Sequence, residues 1–212
     1  MTIQLKSVFL SAALAAMILP AAAQSDPAAT PTPAPPQQTQ PKPRTIPQRR
    51  HNQQERVANG IKSGELTPNE AAHIEGQEGK LNNEIKDMRE DNGGKLTAAD
   101  KQKVHNQENR MSREIYNQKH DQQGSNQDPK TVGGKRAENQ QDRIGQGVAS
   151  GQLTPAEASR LEKQENNLHR EARDMREDNG GKLTAADKQK LNHQQSRESQ
   201  RIYKAKHNNR HR

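Results

Sequence analysis

The sequence predicts an all-α protein: two tandem copies of a three-helix unit, built as coiled-coil-like helical hairpins, after a disordered Pro-rich segment. Three observations carry that expectation. Residues 49–121 recur at 136–208 with a constant offset of 87 and no gap, and 87–103 reappears letter for letter as 174–190. A period this long points to duplicated supersecondary structure rather than to one large core. Apolar residues in each copy are spaced three and four apart, the helical period, and no run alternates as a half-buried strand does. Aromatic residues make up only 1% of the chain, which removes the side chains that strands and large cores lean on.

The first 23 residues read as a secretory signal peptide. Lys6 supplies the positive charge, 8–19 the short apolar run, and Ala21 and Ala23 the small residues that favour cleavage before Gln24. A membrane anchor needs about 20 apolar residues, and this run stops at Pro20. The expectation is an exported protein, periplasmic or secreted, with no membrane span after cleavage. The chain has no cysteine, so the oxidising compartment adds no disulfide. Residues 24–47 are rich in Pro, Ala, Thr and Gln and read as a disordered, extended spacer.

Copy one is expected over 48–121, a breaker-rich linker over 122–135, copy two over 136–208, and a basic tail over 209–212. In copy one the first helix presents Val57 and Ile61 at i, i+4. The break around Gly64 ends at Thr67-Pro68-Asn69-Glu70, which places Thr at the N-cap, Pro at N1 and Glu at N3 of a capping box. Thr154-Pro155-Ala156-Glu157 repeats it. The second helix carries a seam of Ala71, Ile74, Glu78, Leu81, Ile85 and Met88; its copy is Ala158, Leu161, Glu165, Leu168, Ala172 and Met175. Gly76 and Gly79 weaken that helix in copy one only, because Lys163 and Asn166 replace them. A second break, Asn92-Gly93-Gly94-Lys95-Leu96, leads to Thr97 and Asp100 as N-cap and N3 of a third helix with Val104, Met111 and Ile115 on one stripe. Twelve large apolar side chains in copy one, Tyr116 among them, are too few for an isolated copy to be more than marginal. The copies must pack together, self-associate, or fold on a partner.

The Gly-x-Leu-Thr-x-x-Asp pattern resembles the second half of an EF-hand loop, which implies calcium binding through carboxylates. Gly94, Leu96 and Asp100 fit, as do Gly181, Leu183 and Asp187. The first half fails: Arg89 stands where the family has Asp, and Gly93 has no side chain to offer. Asp91, Asp100, Asp178 and Asp187 are the candidate metal ligands. The competing account needs no cofactor: glycine turns the chain and threonine caps the next helix. His207 and His211 share the i, i+4 spacing of a transition-metal pair, without a nearby carboxylate. Glu78 and Glu165 interrupt the apolar seam and are expected either to pair with Lys101 and Lys188 or to mark its exposed end.

No nucleophile elbow, zinc-protease helix or phosphate-binding loop is present, so the sequence points away from an enzyme. Nucleic acid is not expected either, since aromatic stacking platforms are missing. The chain carries a formal charge of +8, and the leader accounts for one lysine of it. A basic mature protein favours anionic envelope components or acidic proteins. Two copies imply avidity if both engage.

Gln53–Arg56, Ser63–Thr67, Met88–Thr97 and Ile115–His120 together resemble a set of exported bacterial helical-repeat proteins marked by Ser-Gly-x-Leu-Thr and Met-Arg-x-x-Asn-Gly-x-Leu-Thr. The resemblance implies export and a helical fold and carries no activity with it. Leu66-Thr67-Pro68-Asn69-Glu70 is also faintly similar to the Leu-Thr-x-x-Gln motif of Spy/CpxP-type periplasmic chaperones, with Glu in place of Gln. The leading expectation is a non-enzymatic envelope binding or structural module. A calcium-responsive module and a Spy-like chaperone stand behind it.

Overall fold

The computed structural model describes residues 44–124 and 130–210. The signal peptide, nearly all of the spacer and His211 of the histidine pair lie outside the described residues. Six helices follow one another: α1 (Ile46–Ser63), α2 (Pro68–Asp91), α3 (Ala98–Lys119), α4 (Val132–Ser150), α5 (Pro155–Asp178) and α6 (Ala185–Lys206). The described residues contain no strand, and none of these helices is long and apolar enough to cross a membrane.

Local chemistry sets the helix ends. Thr45, Thr67, Thr97, Thr154 and Thr184 each accept the backbone N–H of N3, and the N3 side chain answers the cap's own N–H. Each reciprocal pair satisfies two amides that the helix leaves without partners. The first cap places α1 two residues earlier than expected: Pro47 belongs to the helix's first turn, where its fixed φ fits, rather than to the spacer. Likewise α4 begins at Val132, inside the expected linker.

At the corner between α1 and α2, Gly64 adopts φ 72°, and Leu66 donates its N–H to the Gly60 carbonyl at 3.0 Å. That left-handed residue ends the helix and turns Leu66 back over Gly60. An added Cβ at Gly60 would sit 2.7 Å from the Leu66 side chain, so glycine there is what lets the leucine close the corner. Gly147 and Leu153 repeat the arrangement in copy two.

The three helices of one copy do not form a self-contained bundle. The most extensive packing joins α2 to α5 and α1 to α4, across the copies. Equivalent positions, 87 apart, meet at this junction. Ser159 Oγ donates to the Ala72 carbonyl at 2.7 Å, and a Cβ on Gly145 would lie 2.9 Å from the Ala58 carbonyl oxygen. Self-pairing of equivalent residues is the mark of an approximate two-fold axis. The copies are therefore joined as the halves of an isologous dimer are.

The core runs through both halves, from Val57, Ile61, Leu66, Ile74, Leu81 and Ile115 to Ile144, Val148, Leu153, Leu161 and Ile202. It thins in copy two. Leu168 and Ala172 of the seam are only partly buried, and buried Glu198 stands where copy one has Met111. Tyr116 is not a core residue. It is 60% exposed and stacks on His120, and Tyr203 stacks on His207 in the same way.

Candidate functional site

The junction between the copies produces two features: a basic groove on one face and a buried carboxyl cluster. The groove encloses about 940 Å³ between α1, α2 and the start of α5. Its cations are Arg50, Lys80, Arg160 and Lys163, joined by His51, and no carboxylate lines it. Lys80, Arg160 and Lys163 are exposed and make no ion pair or hydrogen bond among the described residues. Arg50 is engaged below: its Nε lies 3.6 Å from Glu78 Oε2.

Gly76 and Gly79 shape the floor. A Cβ on Gly76 would lie 3.5 Å from Ser159 Oγ, and one on Gly79 would lie 3.8 Å from the Ala156 nitrogen. The glycines that weaken α2 thus admit the first turn of α5 at close range, an explanation that helix propensity alone does not offer. The dyad-related face lacks this chemistry. Ala137, Glu138, Asn167, His73 and Gly76 stand where the groove has Arg50, His51, Lys80, Arg160 and Lys163. The charges of this groove are therefore not repeated on the dyad-related face of the described residues.

Six glutamates are buried almost completely: Glu75, Glu78, Glu162 and Glu165 at 0% exposure, and Glu108 and Glu198 at 1%. The expectation that Glu78 and Glu165 meet Lys101 and Lys188, or end the seam in solvent, is corrected. Both lie inside, and in copy one cations stand beside two of the buried glutamates, although burial still raises the Glu108 carboxyl above its ordinary range. Glu78 faces Arg50, while Glu108 Oε2 has His105 Nδ1 at 3.3 Å and Arg49 Nε at 4.0 Å. Copy two has Ala137 where Arg50 stands and Gln195 where Glu108 stands. Glu165 is left with both carboxyl oxygens buried and accepting no hydrogen bond. Desolvation, aided by the neighbouring Glu198 charge, pushes its carboxyl up to about 8. Burial likewise raises Glu162 well above the usual carboxylate range, opposed by the hydrogen bond from Gln141 Nε2 at 3.1 Å and reinforced by Glu165, Glu75 and Glu198. Glu198 is raised by burial despite Arg201 Nη1 at 3.1 Å. Loss of hydration disfavours the charged form wherever no cation replaces the water.

Buried glutamines rivet the outer helices. Gln53 Nε2 donates to the Glu108 carbonyl at 2.7 Å and to Ser112 Oγ at 2.8 Å; Gln140 repeats this on the Gln195 carbonyl and Ser199.

The four aspartates proposed for calcium are exposed or nearly so, at the far ends of the hairpins. Asp100 Oδ2 accepts from the Thr97 amide at 2.9 Å, the Thr97 hydroxyl at 2.7 Å and Asn92 Nδ2 at 3.2 Å. Asp187 is held identically by Thr184 and Asn179. The threonine hydroxyl and amide lower both carboxyls below their ordinary range. Gly93 and Gly94 take φ 62° and 89° and turn the chain between helices. Asp91 and Asp178 join no cluster, and no group of three or more His, Cys, Asp or Glu among the described residues is placed to hold a metal ion.

The sequence reading missed the groove cations and the glutamates at 75 and 162. The available signal was the Glu-x-x-Glu spacing kept in both copies, at 75/78 and 162/165. No protein-family model, curated protein or solved structure matches this chain.

Proposed function

We propose that the protein is a non-enzymatic, exported envelope module that binds an anionic chain, such as a phosphate-bearing polymer, in the groove between its two copies. The observation that carries this reading is the set of three uncommitted cations, Lys80, Arg160 and Lys163, in a concave surface without a carboxylate. Like charges held together without counterions repel, and an anion laid along the groove relieves that repulsion. Concavity favours an extended ligand that can enter over a flat one. The groove belongs to the junction rather than to either copy, so duplication serves to build one site, and the avidity expected from two independent sites gives way to a single composite one.

The test uses inorganic polyphosphate as the probe in equilibrium binding at low and moderate salt. Lys80→Ala/Arg160→Ala/Lys163→Ala is compared with Lys101→Ala/Lys182→Ala/Lys188→Ala on other surfaces. Losing three exposed pairings at about 0.2–1 kcal/mol each weakens binding by roughly threefold to a hundredfold. The control triple, equal in charge, should bind nearly as the parent does. Equal losses in both triples would reduce the effect to net charge and remove the groove from the account.

A further inference from the structure

We propose that the carboxyl groups of Glu162, Glu165 and Glu198 form a proton-binding site, loaded at neutral pH, whose discharge in alkali loosens α5 from its neighbours. Two halves that share a backbone house their buried carboxyls differently. In copy one Glu78, the counterpart of Glu165, has Arg50 beside it, and Glu108 has Arg49 with His105 nearby. In copy two the backbone offers the same burial, yet position 137 holds alanine, so no guanidinium reaches Glu165. Three carboxyls are then enclosed with one cation, Arg201, which is half-exposed and engaged with Glu198.

Among the described residues, the groups that face them from the neighbouring helices are acids or neutral side chains, Arg201 aside. From α2 comes Glu75, another acid, across the two-fold axis. From α4 come the neutral Gln141 and Ala137. From α6 come Glu198, Arg201 and the neutral Gln195. On α5 itself, His169 lies one turn beyond Glu165, and burial, with Arg176 nearby, lowers its pKa and so disfavours the imidazolium. A carboxyl in such a place is stable as the acid and costly as the anion. At a neighbouring buried position a neutral amide already replaces a carboxyl between the copies. Gln195 occupies in copy two the buried position that Glu108 holds in copy one.

The sign follows from linkage. The folded chain retains protons that the unfolded chain has already released once pH exceeds the ordinary glutamate value of 4.5. The stability this carries is fully present below that value and is lost as pH climbs through about 8, where Glu165 ionises in place. The proton passes to bulk water. The anion left behind is relieved only by hydration, which requires α5 to part from α4 and α6. This inference stands apart from the anion-binding groove, and either can fail without the other.

The experiment is thermal unfolding of the full-length chain, followed by far-UV circular dichroism, at constant ionic strength from about pH 6 to about pH 9. The parent's Tm is expected to fall across this range. Glu165→Gln, the neutral isostere, should fall less steeply and overtake the parent at the alkaline end. Ala137→Arg, which copies Arg50 into the second half, should flatten the profile too. Glu78→Gln, in the compensated half, should keep the parent's slope. Carboxyl-carbon NMR of labelled glutamate should show a resonance titrating near 8 that is lost in Glu165→Gln. A parent Tm that is level over the range, a Glu165→Gln slope equal to the parent's, or failure of Glu165→Gln to fold would each overturn the proposal. If Ala137→Arg does not fold, the Glu165→Gln comparison decides.

Discussion

Gly145→Ala tests how the two copies dock. The residue lies in α4 where it crosses α1, and a Cβ there would stand 2.6 Å from Lys62 Cγ and 2.9 Å from the Ala58 carbonyl oxygen. The lysine methylene belongs to a flexible chain and can swing aside. The carbonyl is part of α1 itself, so relief requires the helices to separate. Overpacking of this kind costs about 1–3 kcal/mol. Replacing a mid-helix glycine with alanine returns about 1 kcal/mol of helix propensity. The net effect is a loss of about 0–2 kcal/mol, and at roughly 2–4 °C per kcal/mol for a domain of this size Tm falls by up to about 8 °C. Gly133→Ala provides the opposite sign, because nothing lies within 4 Å of its added Cβ near the exposed start of α4. Urea and thermal denaturation of both variants, beside the parent, give the answer. If Gly145→Ala is stabilised as much as Gly133→Ala, α1 and α4 do not approach through this glycine and the docked arrangement is wrong.

Other outcomes follow from the same packing. Leu153→Ala removes a fully buried side chain that closes the α4–α5 corner over Gly147, and it should cost about 2–5 kcal/mol in urea titration. A loss near zero would mean that the corner is open. Adding millimolar calcium to chelator-treated protein should leave far-UV circular dichroism unchanged, since Asp100 and Asp187 are already committed to helix caps and the helices they start are formed. A rise in helicity would restore Asp91, Asp100, Asp178 and Asp187 as ligands.

Helix placement was legible because its determinants are local. Thr67-Pro68-Asn69-Glu70 and Thr97-Ala98-Ala99-Asp100 each carry the complete instruction for a helix start within four residues, and the structure places α2 and α3 accordingly. The seam from Ala71 to Ile85 could be read from its spacing. What could not be read was the interior's polarity. Periodicity assigns polar residues to the outside, and Gln53 and Glu162 are inside, where partners from distant segments receive them. Gly76 and Gly79 looked like defects of one helix. Their reason, the approach of α5, sits about eighty residues away in the chain. Tyr116 failed in the opposite direction, an amphipathic ring counted as core that lies on the surface against His120.

The two-fold junction has a consequence for how such a molecule can change. In a true homodimer, every substitution appears twice, at symmetry-related places. Arg50 could not face Glu78 while alanine faced the equivalent glutamate, nor could one face gather Lys80, Arg160 and Lys163 while the other went without. Joining both halves in one chain lifts that restriction, because a single codon then alters a single side of the axis. One half can stay electrostatically conservative and keep the pair folded, while its twin drifts toward a charge arrangement that would be ruinous if doubled.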